Sequence, residues 1–248
     1  MDIENFHNQL DQTALEGFKR LNKTDSAEHK RWEIPDGSWE VTVVRGPVLE
    51  KATTSRILLN TKNPLTGEDT RFNVLQVKVY PASPKIPIML CNIEYRSARE
   101  NRFAGFLDVA PVAGCKEDLD FLQTEIKAIT EKHGQDYEAL RRQLENIYKM
   151  DNREKALNAA IGIRLELVSG QADLVKEAAQ GWLASYMKIS EKREKEPYDK
   201  EQEAIMYSVR AGIMEFYMLK DLSFKVAQQL GLPLEALALG NFAPTIRY

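Results

Sequence analysis

The stretch PKIPIMLCNIEYR, residues 84–96, joins a turn to a strand. Pro81, Pro84 and Pro87 break the chain just before a run rich in Ile, Leu and Met. Proline fixes its own backbone and cannot donate to a ladder, so a cluster of three marks a connection rather than an element. Alternation then puts Ile88, Leu90, Asn92 and Glu94 on one face, with Met89, Cys91, Ile93 and Tyr95 on the other. One face is wholly oily and the other carries an amide and a carboxylate. A buried polar group costs free energy unless it is hydrogen-bonded, so Asn92 and Glu94 call for an explanation. A pocket wall is one, because small-molecule sites are mostly apolar with a few placed polar groups. A solvated face, or bonding to neighbouring backbone, is the other.

The same signal extends outward from this strand. SWEVTVVRG, SRILLNT, FNVLQVKVYP and RFAGFLDVAP read as further strands, separated by turn signals such as NPLTGED. In the preceding strand Gln76 and Lys78 share a face with Phe72 and Val74, while Leu75, Val77 and Val79 form the cleaner face. Asp108 shares a face with Phe106 and Ala104 in the following one. Short connections favour an antiparallel meander. Before it, Ile3, Phe6, Leu10, Leu15, Phe18 and Leu21 fall at helical spacing, and NKTDSAEHKRWEIPDG reads as a polar connector. After Gly114 the pattern is helical, through KEDLDFLQTEIKAITEKHG, QDYEALRRQLENIYKM, EKALNAAIGIRLELV, QADLVKEAAQGWLASYMKI and the segment after Pro197. The prediction is one α+β domain spanning residues 1–248. It has an N-terminal helix over 1–24, a central antiparallel sheet over 38–111, a mainly helical part over 116–231 and a tail over 232–248.

Composition narrows the function classes. A net charge of −3 and a pI near 5.8 lack the basic surplus of a nucleic-acid binder. The two cysteines, Cys91 and Cys115, support neither a disulfide framework nor a cysteine metal cluster. No apolar run reaches membrane-spanning length and no leader pattern opens the chain, so a soluble, cytoplasmic protein is expected. There is no phosphate-binding loop, dinucleotide fingerprint or nucleophile elbow. His7, His29 and His133 lie far apart in segments that read as surface, which argues against a metal site.

Residues 75–111 resemble the central strands of ferredoxin-dependent bilin reductases. The matching points are Tyr80-Pro81, Ile86-Pro87-Ile88, Cys91-Asn92-Ile93 and Asp108-Val109-Ala110-Pro111. The stretch is also similar to aerobic coproporphyrinogen oxidases, fold relatives of those reductases, as is GPVLEKAT at 46–53. YDKEQEAIMYSVRAGIMEFYMLKDL, residues 198–222, resembles the C-terminal helix of the phycocyanobilin-forming branch. The tail ending NFAPTIRY matches nothing in either family.

The resemblance implies a three-layer α/β/α sandwich with a six- or seven-stranded sheet, binding a linear tetrapyrrole between sheet and C-terminal helices. It implies no bound cofactor: reduced ferredoxin supplies electrons, side chains supply protons, and the chain is a monomer. Carried over by position, Asn92 stands where those reductases have a catalytic aspartate, and Gln76 where one branch has a histidine. Leu90 and Glu94 replace a histidine and an arginine of the oxidases, and Asp108 matches in both families. Asp199 falls at or beside a second essential acid of some reductases, and Lys200 suits a propionate. The site residues expected are therefore Asn92 and Asp199 for chemistry, with Gln76, Glu94, Asp108 and Lys200 for binding. An amide cannot act as an acid, so two readings stay open. One is a reductase of a bilin such as biliverdin, with Asp199 or Glu94 as the acid; the other is a tetrapyrrole-binding protein without chemistry. A porphyrinogen oxidase ranks behind both. An acidic ferredoxin would meet a basic rim near the pocket, for which Lys188, Lys192, Arg193 and Lys195 are candidates.

Overall fold

The computed structural model describes residues 2–247 apart from 64–65, 115 and 167–168. Cys115, part of the NPLTGED turn and the last two residues of EKALNAAIGIRLELV therefore lie outside the described residues. Seven strands are found among those described: β1 (Glu28–Ile34), β2 (Gly37–Val44), β3 (Leu49–Lys62), β4 (Asp69–Pro81), β5 (Ile88–Ser97), β6 (Arg102–Ala110) and β7 (Ile163–Arg164). They form one antiparallel sheet in sequence order. The helices are α1 (Ile3–Asn22), α2 (Lys116–Lys132), α3 (Tyr137–Arg142), α4 (Ala172–Arg193), α5 (Lys200–Leu219), α6 (Leu222–Gln229) and α7 (Leu234–Asn241).

The alternation in β5 divides the molecule as its residues dictate. Met89, Cys91 and Ile93 pack with Leu75, Val77, Phe103 and Leu107 beneath α1, α2 and α4. Ile88 and Leu90 belong to a second core with Trp39, Val41, Val74, Ile213, Tyr217, Phe224 and Leu237, beneath α5, α6 and α7. Helices thus cover both faces of the antiparallel sheet, the α/β/α layering expected. No helix among the described residues is long and apolar enough to cross a membrane.

Several sequence expectations need correction. The segment read as a polar connector holds the edge strand β1, whose alternation is hidden by Glu28, His29, Lys30, Arg31 and Glu33. Charges along an edge discourage pairing with other chains, and only Trp32 and Ile34 turn toward the second core. The described part of EKALNAAIGIRLELV is not helical. The carboxylate of Asp108 captures this segment, accepting from Asn158 Nδ2 at 2.7 Å and from the backbone N–H groups of Ala160, Ile161 and Gly162 at 2.9, 3.3 and 3.4 Å. Those bonds replace the helical ladder, set Ala160 at φ 53° and deliver the chain to β6 as β7. QDYEALRRQLENIYKM is helical only over α3. The tail beyond 231 contains α7, which closes the second face. His7 is fully buried rather than on the surface, with Nδ1 2.9 Å from Asn73 Oδ1.

Candidate functional site

The site is built from side-chain rows that run across the sheet. Cross-strand partners point to the same face. Register therefore aligns Val41, Ser55, Gln76, Asn92, Phe106 and Arg164 in one row on the α5–α7 side. Two residues along the strands, Trp39, Ile57, Val74 and Glu94 form the next row toward the mouth. In the other direction Thr53, Lys78, Leu90 and Asp108 form the row below.

Above these rows lies a cavity of about 360 Å³, within the range of small-molecule sites. Its floor is Trp39, Ile57, Phe72, Val74, Gln76, Asn92 and Phe106, and its roof Phe216, Val226, Ala227, Leu230 and Leu232. Charged groups stand around it: Glu94, Arg96, Arg164, Lys220 and Asp221. Gly105 keeps β6 close to β5. It adopts φ +103°, and a Cβ there would sit 2.0 Å from the carbonyl oxygen of Asn92. A side chain at this position would push the floor apart.

Three polar atoms on the floor have no partner among the described residues: Gln76 Oε1, Asn92 Oδ1 and Trp39 Nε1 are buried and make no hydrogen bond there. Buried polar atoms are nearly always paired, so adjacent unpaired amides on a cavity wall are poised for a ligand. An amide group can accept or donate there.

The rim is electrostatically mixed. Glu94 and Arg96 form an ion pair at 2.5 Å, with 14% and 26% of their side chains exposed. Arg164 pairs with Glu166 at 2.6 Å and Lys220 with Asp151 at 2.5 Å. Asp221 is the N-cap of α6, accepting from Phe224 N at 3.0 Å. Beneath the floor Lys78 is buried, hydrogen-bonded to Asn241 Oδ1 and 4.1 Å from the Tyr217 ring centre. Desolvation pushes its ammonium down to about 8. Lys51, deeper under α7, donates to the carbonyls of Ala238 and Phe242 at 2.9 and 2.6 Å. Burial lowers it to about 7.

Of the residues expected from sequence, Gln76, Asn92 and Glu94 are brought together on the cavity wall. Asp108 shares their face but is fully buried and turned to the 158–162 segment, outside the lining. Burial raises its carboxyl above the usual range, against the pull of Asn158 and backbone N–H groups. Asp199 and Lys200 are exposed at the start of α5 and do not line the cavity. Asp199 and Gln202 form a reciprocal capping box there, with Gln202 N 2.8 Å from the Asp199 carboxylate. The lysine-rich end of α4 lies on the opposite side of the sheet. Lys192 and Arg193 are held by Glu117, Asp118 and Glu196, so this cluster is not a rim of the cavity.

The sequence reading missed Arg96, Arg164, Lys220, Lys78 as a neighbour of the site, and the whole α6 roof. Arg96 was within reach, since the alternation that selects Asn92 and Glu94 selects it next. Lys78 stood on the same face as Gln76. Arg164 was hidden by the mistaken helix, and α6 by the absence of any recognisable pattern.

A comparison with individual curated proteins finds no match. Among protein families, residues 2–237 match the family model for coproporphyrinogen III oxidase. That match takes in the strand rows, the cavity floor and the whole of its roof, so the chain belongs to the coproporphyrinogen III oxidase family.

Proposed function

We propose that the cavity binds a tetrapyrrole carrying propionates, and that the ligand is a linear one reduced with electrons from ferredoxin. The observation that carries the binding claim is the pair of unpartnered amide oxygens of Gln76 and Asn92, adjacent on one row of the floor. Pyrrole and lactam N–H groups are the donors such oxygens accept from, and the aromatic and aliphatic floor suits the flat rings. Arg96, Arg164 and Lys220 provide cations at the rim for the propionates. Family membership supports a tetrapyrrole, and the resemblance of residues 75–111 and 198–222 to bilin reductases supports a linear one. The histidine position of the oxidases is Leu90 here, fully buried and outside the lining.

In this reading Asn92 and Gln76 orient the ligand without transferring protons. The carboxylates lining the cavity are Glu94 and Asp221, and Asp221 is committed to capping α6. Glu94, two residues from Asn92 on the same face of β5, is thus the wall carboxylate without a capping role, and it pairs with Arg96. Asp199 serves its helix.

Anaerobic incubation with biliverdin and reduced ferredoxin tests the proposal. The expected result is progressive loss of the biliverdin spectrum and growth of a blue-shifted product, slowed at least tenfold by Glu94→Gln. A bound spectrum that never changes would leave the second reading, a tetrapyrrole-binding protein without chemistry. That reading is favoured by the amides at both expected proton-donor positions.

A further inference from the structure

We infer that Lys78 is the proton source for a ligand seated on the Gln76–Asn92 row, delivering through a water-sized chamber behind Gln76. The inference rests on the tetrapyrrole reading of the cavity and supplies an acid that its floor lacks. Lys78 and Gln76 are two residues apart on β4 and face the same way, so their rows are separated by about 7 Å. Between them lies a chamber of about 10 Å³, lined by Trp39, Gln76, Lys78, Tyr217, Asp221 and Asn241 among others. That is the size of one water. Trp39, Gln76 and Asp221 also line the main cavity, so these three form a wall common to both spaces.

The ammonium is placed to give up a proton rather than to anchor structure. It has three N–H donors, and its contacts are one amide oxygen, Asn241 Oδ1, and one ring face, Tyr217. Among the described residues no carboxylate forms an ion pair with it, and Asp221 acts on it only as a nearby charge. The groups facing it are Lys51 and Thr53 from β3, Leu90 from β5, Tyr217 from α5, Asp221 ahead of α6, Asn241 from α7, and Gln76 and Tyr80 on its own strand. Asp221 favours the charged form and burial opposes it more strongly, leaving an acid that titrates at about 8. A buried lysine with such neighbours is an efficient donor near neutral pH.

The step balances simply. One Nζ–H bond breaks and one N–H bond forms on a pyrrole-type nitrogen, leaving a neutral amine and a cationic ligand. The proton crosses by way of the chamber water. Where reduction follows, the electron arrives singly from an iron–sulfur carrier, and the amine is recharged from solvent past Asp221.

Lysine NMR of the wild-type protein, labelled at Cε and titrated with biliverdin at neutral pH, tests this directly, with Lys78→Arg assigning the signal. Lys78 is expected to be an ammonium in the free protein and a neutral amine at saturation, while the bilin takes on the long-wavelength absorption of its protonated form. Lys78→Arg keeps a buried cation that does not release its proton. It is therefore expected to bind biliverdin within a few-fold of wild type and show only the neutral spectrum. A Lys78 signal that stays charged with biliverdin bound overturns the inference, as does a protonated spectrum in Lys78→Arg. The NMR titration decides even if the substituted protein fails to fold. Biliverdin that does not bind the wild type at all overturns the tetrapyrrole reading as well, and so separates the two failures.

Discussion

At the residue scale, Asn92 and Asp108 show how the same strand pattern yields different roles. Both lie on the α5–α7 face, on neighbouring strands and adjacent rows. Asn92 Oδ1 is left unpartnered at the cavity, whereas Asp108 spends its carboxylate on the 158–162 segment. Alternation identifies the face but not which polar groups meet chain from elsewhere. Replacing Asp108 by Ala strands several buried N–H groups together, and an unsatisfied buried donor costs roughly 1–3 kcal/mol. Asp108→Ala is therefore expected to lose about 3 kcal/mol or more in urea unfolding and to release β7 from hydrogen-exchange protection. A loss below about 1 kcal/mol would mean that the segment is held by other contacts.

At the element scale, α1 is fixed to the sheet by a polar contact inside an apolar interface. His7 is buried beside Phe6 and meets Asn73 on β4. Burial lowers its imidazole from its ordinary 6.5 to about 4. Because the folded value is the lower one, its contribution is fully present above 6.5 and is lost as pH falls toward 4. The size is on the order of 3 kcal/mol. His7→Gln keeps a partner for Asn73 without the titration. It is expected to flatten the acid limb of stability between those two values, followed by circular dichroism at graded urea. An unchanged acid limb would assign that sensitivity to other groups. The helix α1 was legible because Phe6, Leu10, Phe18 and Leu21 repeat at 3.6-residue spacing, yet His7 was read as surface because a lone histidine gives no sign of its burial. Edge strand β1 was missed because charges break its pattern. The described part of the 154–168 segment was misread because local helix-forming residues were overruled by a carboxylate 50 or more positions earlier in the chain, a tertiary choice invisible in any window.

At the scale of the whole molecule, the two-faced strands follow from period-two alternation, the meander from the short connections between them, and the covered faces from the helical spacing before and after the sheet. The cavity floor follows with them, which is why Gln76, Asn92 and Glu94 were found together. Roof and rim did not follow. Phe216, Lys220 and the α6 residues reach the site only because α5–α7 fold back over β2–β6, and no local pattern announces that closure. The proposed function makes one requirement of this site: a flat, carboxylated ligand that satisfies the amide row. An absorbance titration of biliverdin into the wild-type protein, and into the Gln76→Leu/Asn92→Leu double variant, tests that requirement most directly. Two hydrogen bonds of about 1 kcal/mol each predict a roughly tenfold or greater weakening in the variant. Saturable one-to-one binding by the wild type and that loss in the variant are expected; no spectral change with wild type, or equal affinity in both, would contradict a tetrapyrrole held by the amide row.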